Sequence, residues 1–210
     1  MTLPVNSAVL VVSVRPYPGP KAILYFGGNA EDVSVNLASF SEWFPDHALY
    51  LLHYRGYGGS TGSPTERNNE SDAAALFRLV KVQHPDVAVI GRSLGTGVAV
   101  HLASEQPASR LVLVTPFDSI VGIAASEFPW LPVRLMLLDR YDSGKYAPGI
   151  RIPTTIIVAE NDEIIPRAST ELLLGRFRKG VASMTVIPGV GHNTIGNSGQ
   201  YGAILQAALR

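Results

Sequence analysis

The segment Gly91-Arg92-Ser93-Leu94-Gly95 sets a serine between two glycines in the pattern G-x-S-x-G. The strand-like run Val87-Ala88-Val89-Ile90 leads in, and residues 96–104 lead out as a helix-like run. In that setting Ser93 is a candidate nucleophile on a strained strand-to-helix turn. The glycines have a physical task there. Such a turn leaves no room for side chains beside the serine and pushes its backbone toward an unfavourable region. Composition alone gives roughly 0.07 such pentapeptides in a chain of this length, so the flanking elements matter as much as the motif.

A serine hydroxyl is a weak nucleophile unless a base takes its proton, and a carboxylate-held histidine is the usual base. The chain has five histidines. His192 lies in Gly189-Val190-Gly191-His192-Asn193, between the strand-like run 184–187 and the last helix-like run. A loop at a strand's carboxyl end lets it reach Ser93. His101 lies two turns into the helix after Ser93 and points away. His47 and His84 sit beside Pro or Asp at element ends and read as surface residues. His53 ends a strand and could line the site, although a structural role is the commoner one. Three acids, Glu160, Asp162 and Glu163, follow the run 155–159. Asp162 has the best placement. Alone it would read as a turn or N-cap residue, and His192 alone as a loop histidine; each following a strand, the three support one another.

Acyl chemistry also needs donors for a developing oxyanion. The backbone N–H of Leu94, next to the nucleophile, is one candidate. The second comes from Gly27-Gly28-Asn29-Ala30, the loop after the run 22–26, where Asn29 is positioned to offer its N–H. The other reading of that loop is a phosphate cradle. It lacks the dinucleotide-binding glycine spacing, and no P-loop lysine follows, so nucleotide binding is discounted.

The elements that must hold these groups are legible as apolar runs at 8–14, 22–26, 48–53, 87–90, 111–114, 155–159 and 184–187. They are mostly continuous rather than alternating, as strands buried on both faces of a largely parallel sheet require. Helix-like stretches at 32–43, 70–82, 94–103, 169–177 and 200–209 lie between them. Alternation of this kind implies βαβ units with helices on both faces, and ligands then bind beyond the strands' carboxyl ends. Residues 116–148 break the alternation. They carry Phe117, Phe128, Trp130, Leu131, Leu135, Met136, Leu137 and Leu138 and are too long for a simple loop. We expect a small helical lid there, the alternative being one packing helix with an irregular lead-in.

Composition narrows the class. A chain of 210 residues suits a single domain, and a net charge of zero with scattered basic residues leaves no nucleic-acid footprint. The lack of cysteine excludes disulfides, thiolate catalysis and cysteine metal sites, and fits a cytoplasmic protein. The run 8–14 is too short to span a bilayer and has no basic segment ahead of it, so neither an integral membrane segment nor a signal peptide is expected.

Together these residues resemble the α/β-hydrolase superfamily. Four stretches resemble the small serine hydrolases that include protein depalmitoylases and bud-emergence-suppressor relatives. They are Tyr25-Phe26-Gly27-Gly28-Asn29-Ala30-Glu31-Asp32, residues 54–62 (Tyr54-Arg55-Gly56-Tyr57-Gly58-Gly59-Ser60-Thr61-Gly62), the Ser93 turn, and Thr115-Pro116-Phe117-Asp118-Ser119. The similarity spans about residues 20–195, and 54–62 is its most branch-specific piece. The resemblance implies Ser93 as nucleophile, His192 as base and then acid, Asp162 as orienting carboxylate, and Asn29 and Leu94 as the oxyanion hole. It gives residues 54–62 a packing role beneath the site.

Two departures stand out. The branch usually has histidine at the position of Gly27, and its loss would loosen the oxyanion loop. The branch also often carries an N-terminal membrane anchor, whereas this chain starts almost directly at the sheet. One leading strand should be missing or shortened, leaving about seven strands. The expected fold is therefore α/β, a mostly parallel sheet with helices on both faces and a small helical lid. The expected function is hydrolysis of carboxylic esters or thioesters through an acyl-enzyme, with no metal and no organic cofactor. The expected partner is a small-molecule or acyl-bearing substrate, bound with help from Phe117, Phe128 and Trp130; the oligomeric state is left open. The rivals are a peptidase or amidase on the same triad, and a catalytically silent scaffold used for binding.

Overall fold

The computed structural model describes residues 1–128 and 130–210; Pro129 and the side chains of Arg134 and Leu135, all within the expected insertion, lie outside the described residues. The apolar runs become the strands β2 (Ala8–Arg15), β3 (Lys21–Phe26), β4 (Ala48–Leu52), β5 (Asp86–Arg92), β6 (Arg110–Val114), β7 (Thr154–Ala159) and β8 (Ala182–Ile187). Another strand, β1 (Thr2–Val5), pairs antiparallel with β2 through a two-residue turn in which Asn6 takes φ 51°. The described sheet therefore has eight strands, one more than the apolar runs suggest. β1 escapes that count because it is short, carries Pro4 and buries only Val5. The leading strand is present and short: the four residues of β1 face the eight of β2.

The strand order is β1-β2-β4-β3-β5-β6-β7-β8. β2 pairs antiparallel with β4, and every pair from β4 through to β8 is parallel. β3 pairs with β4 on one side and β5 on the other, so the winding reverses at the carboxyl ends of β3 and β5, where open α/β sheets form a crevice.

Helices cover both faces. On one side Leu76 and Phe77 of α2 (Glu66–Gln83), Val98 and Leu102 of α3 (Leu94–Glu105) and Leu173 of α7 (Arg167–Arg176) pack on alternate strand residues such as Leu24 and Phe26. On the other, Phe40 of α1 (Leu37–Trp43) and Tyr201 and Leu205 of α8 (Tyr201–Ala208) pack on Ile23 and Tyr25. This two-sided burial is why the strands read as continuous apolar runs. No helix among the described residues is long and apolar enough to cross a membrane.

Residues 116–148 form three short helices, α4 (Ile120–Glu127), α5 (Val133–Met136) and α6 (Ser143–Tyr146). The two ends of the segment are tied to each other: Ile120 N–H donates to Arg140 O at 3.0 Å and Gly144 N–H to Asp118 O at 2.9 Å. The start of α2 clamps the far end. Glu66 accepts from the backbone N–H groups of Arg140 (2.7 Å) and Tyr141 (2.8 Å), while Asp139 accepts from Glu66 N–H at 3.0 Å.

Two histidines depart from the sequence reading. His47 and His84 are buried rather than on the surface. His84 bonds Gly19 O through Nδ1 (2.8 Å) and Tyr50 Oη through Nε2 (3.2 Å), and His47 Nδ1 meets Asp46 at 2.8 Å. Polar partners explain the burial, brought from distant segments for His84 and from the adjacent residue for His47.

Residues 54–62 are held by a buried ion pair. Arg55 donates to both oxygens of Asp72 on α2, at 2.8 and 2.7 Å. Truncating one partner would leave the other charge buried and unpaired, which costs about 3–5 kcal/mol. Asp72→Ala should therefore lower Tm by roughly 6–20 °C at this chain length, as measured by calorimetry. Between α2 and α3, burial and the nearby Glu66 and Glu105 push the Glu70 carboxyl up to about 7, and burial lowers His101. A carboxyl raised in the folded state stabilises below its unfolded value of about 4.3 and loses that contribution as pH rises through its folded value. Glu70→Gln should thus match wild type in Tm near pH 4 and exceed it increasingly from pH 5 to pH 8.

Candidate active site

Ser93 stands at the junction of β5 and α3 with φ 50° and ψ −121°, a strained conformation for a residue with a side chain. Its N–H donates to Val114 O at 2.9 Å, which anchors the turn to β6. The flanking glycines permit a close approach of backbones. A Cβ on Gly95 would collide with Phe26 O and lie 2.6 Å from Gly27 O, and one on Gly91 would collide with Gly95 O. Helix α3 can therefore start against the end of β3 only without side chains at these positions.

His192 lies 2.9 Å from Ser93 Oγ through Nε2 and 3.0 Å from both Asp162 oxygens through Nδ1. These partners assign the Nδ1–H tautomer, leaving Nε2 free to accept the serine proton. Both His192 and the Asp162 side chain are buried. Burial works to raise the Asp162 carboxyl, but the bonds from His192 and from the N–H groups of Ile165 and Ile164 hold it below the ordinary range. The two neighbouring acids do different work. Glu163 accepts from His192 N–H (3.0 Å) and Glu160 from Gly189 N–H (2.8 Å), so both pin the histidine loop while Asp162 alone of the three meets the ring. His53 bonds Ser13 Oγ at 2.9 Å, and His101 meets Tyr146 edge to face; neither is among the residues lining the site.

Opposite Ser93 lies the loop after β3. Tyr54 donates to Gly27 O at 3.0 Å and Tyr57 to the Asn29 side chain at 3.1 Å, so residues 54–62 pack beneath this loop. Gly27 does not leave the loop slack. A Cβ there would lie 2.5 Å from Val33 Cγ1 and 3.1 Å from Glu31 Cδ, and Glu31 itself braces the loop. Its carboxylate accepts from Gly28 N–H (2.6 Å), Tyr25 Oη (2.6 Å), Asn36 Nδ2 (2.8 Å) and Arg92 Nη1 (2.8 Å). Burial acts to raise Glu31, yet the bonds from Tyr25, Gly28 and Arg92 keep it below the ordinary carboxylate range. Among the described residues, the backbone N–H groups of Asn29 and Leu94 donate no hydrogen bond. Sequence reasoning missed Glu31 and Arg92, because their contact links positions 61 residues apart and follows no local pattern.

A cleft of about 370 Å³ opens beside Ser93, Leu94 and Asn29. Phe117, Ile120, Ile123 and Ile165 give it an apolar wall, and Tyr141, Asn69 and Asp139 a more polar one. Phe117 is thus at the site. Phe128 and Trp130 are not among the described residues lining it; they meet edge to face at 6.4 Å and stand 48% and 75% exposed. The reason is position: both follow the end of α4, whereas the cleft is lined from within that helix by Ile120 and Ile123.

The glycine requirement can be checked directly. Gly95→Ala should cost about 3 kcal/mol, because backbone atoms that cannot give way receive the new methyl, and Tm should fall by roughly 6–12 °C. Gly175→Ala, with open space around it in α7, should instead gain about 0.5–1 kcal/mol in the same denaturation series.

An uncharacterized protein of Mycobacterium tuberculosis is 36% identical over 180 residues, covering 83% of this chain and 63% of that protein. The alpha/beta hydrolase domain-containing protein aho-3 of Caenorhabditis elegans is 32% identical over 198 residues, covering 90% of this chain and 58% of that protein. The chain thus spans about three fifths of the length of these curated relatives. In fold it is similar to MGS-M2, an alpha/beta hydrolase enzyme from a Medee basin deep-sea metagenome library, with a TM-score of 0.81, 16% identity and coverage of 100% of this chain and 96% of that one. The family model described as Serine hydrolase (FSH1) matches residues 32–193, which include Ser93, Asp162 and His192. This chain accordingly belongs to the serine hydrolase (FSH1) family and has the α/β-hydrolase fold.

Proposed function

We propose that the protein hydrolyses carboxylic esters or thioesters through an acyl-enzyme on Ser93. The observation that carries this reading is the continuous contact from Ser93 Oγ to His192 Nε2 at 2.9 Å and from His192 Nδ1 to Asp162 at 3.0 Å. Ser93 Oγ attacks the acyl carbonyl while His192 takes its proton, and Asp162 stabilises the imidazolium. The tetrahedral oxyanion is held by the N–H groups of Asn29 and Leu94, which have no competing acceptor among the described residues. His192 then returns the proton to the leaving alkoxide or thiolate. Water, activated by the same histidine, releases the acid.

The substrate class follows from the cleft. Leu94, Phe117, Ile120, Ile123 and Ile165 favour an apolar acyl group. Its volume, about 370 Å³, lies at the small end for ligand pockets and suits short to medium chains. In this reading the chain is one hydrolase domain, and residues 116–148 form the lid, contributing Phe117, Ile120 and Ile123 to the wall. The chemistry calls for no metal or organic cofactor.

A tagged fluorophosphonate tests the reading, since it labels only an activated serine. Wild type should label and Ser93→Ala should not, while kcat on p-nitrophenyl esters should fall about 10⁶-fold in His192→Ala and about 10⁴-fold in Asp162→Asn. Folded wild type that resists labelling would overturn the proposal and favour a silent binding scaffold.

A further inference from the structure

We propose that Glu31 and Arg92 form one positioning unit that aligns the oxyanion loop with the base. The inference rests on the acyl-transfer reading of Ser93 and adds two residues that touch neither substrate nor the reacting atoms.

The argument starts from the peptide joining Gly27 and Gly28. Both of its polar groups are taken: Gly27 O by Tyr54 Oη at 3.0 Å and Gly28 N–H by Glu31 Oε2 at 2.6 Å. A plane pinned at both ends cannot rotate. The next peptide carries the Asn29 N–H, so its direction is inherited from the pinned one, and Gly28 O further accepts from Glu31 N–H at 3.4 Å. Glu31 therefore sets where the Asn29 donor points. Its four acceptor sites are filled by four donors, which leaves the carboxylate no second orientation of equal energy.

Arg92 extends this brace to the base. It sits directly before Ser93, and its guanidinium has two arms in use. Nη1 donates to Glu31 Oε2 at 2.8 Å and Nη2 to His192 O at 3.2 Å. One rigid fork thus joins the loop that carries a donor, the turn that carries the nucleophile and the loop that carries the base. Lysine has the charge but only a point donor, and cannot span both partners in this way. The guanidinium and carboxylate are largely buried, with side-chain exposures of 19% and 11%, so water substitutes poorly for either.

A purely structural ion pair and a positioning unit differ in what they change. The test is the second-order rate of fluorophosphonate labelling, together with kcat and KM on p-nitrophenyl butyrate and Tm, for wild type, Arg92→Met, Arg92→Lys, Glu31→Gln and the double variant Glu31→Gln/Arg92→Met. Misplacing a donor or base by about 1 Å costs about 100-fold. Arg92→Met should therefore lose about 100-fold in labelling and kcat with KM within about twofold, and Arg92→Lys should recover part of that loss. Because the two residues act together, the double variant should lose no more than the worse single variant. If Arg92→Met does not fold, Glu31→Gln carries the same test, since its amide opposes the Gly28 donor. Variants that lower Tm but label and turn over at the wild-type rate overturn the inference, as do losses that multiply in the double variant. A wild type that neither labels nor turns over overturns the acyl-transfer reading and this inference with it.

Discussion

The structure depends on how closely two backbones can approach at the carboxyl end of the sheet. Helix α3 begins against Phe26 O and Gly27 O with only Gly95 between them. That contact brings a donor loop from β3 within reach of a serine from β5, and it exists because β3 and β5 are neighbours in the sheet. The strained φ of Ser93 follows from the same geometry. A chain leaving a strand and entering a helix in one residue, with no room to widen the turn, must place that residue outside the ordinary regions. The surrounding sheet supplies the stability that such a conformation gives up.

Everything else at the site is arranged around that fixed point by loops that brace one another. Tyr54 and Tyr57 lie under the donor loop and Glu31 locks it. Glu160 and Glu163 tie down the histidine loop, and Asp162 orients the ring. Residues 54–62 are in turn fixed to α2 by the Arg55–Asp72 pair. Most of these supports are carboxylates that take backbone N–H groups. Loops have few internal hydrogen bonds of their own, so side chains must satisfy and orient the main chain there.

How much of this was legible in the sequence depended on the range of the interaction. The strands were readable because burial on both faces writes itself into consecutive residues, and the Ser93 turn because its glycines are local necessities. Ser93, Asp162 and His192 could be drawn together because each follows a strand and ligands gather at strand ends, and the structure brings these three into contact. Among the three acids after β7, sequence favoured Asp162 but could not separate the roles, since Glu163 differs from it only in meeting a backbone N–H rather than a ring. Glu31 and Arg92 were invisible, as nothing near either residue reports the other. His47 and His84 misled because Pro and Asp neighbours suggest surface, whereas Gly19 O and Tyr50 arrive from elsewhere to receive the His84 ring. Phe128 and Trp130 misled for the opposite reason, apolar character being taken for a place in the cleft.

The segment between β6 and β7 closes on itself: its two ends are joined by main-chain bonds between Ile120 and Arg140 and between Gly144 and Asp118. A polypeptide stretch sealed at its neck behaves as an exchangeable cassette. Its interior, apart from Asp139 where it meets the start of α2, can vary in sequence and length while the neck stays in register. The cleft wall carried by Ile120 and Ile123 and the Ser93 turn are thereby set by separate parts of the chain, so one can be reshaped while the other keeps its geometry.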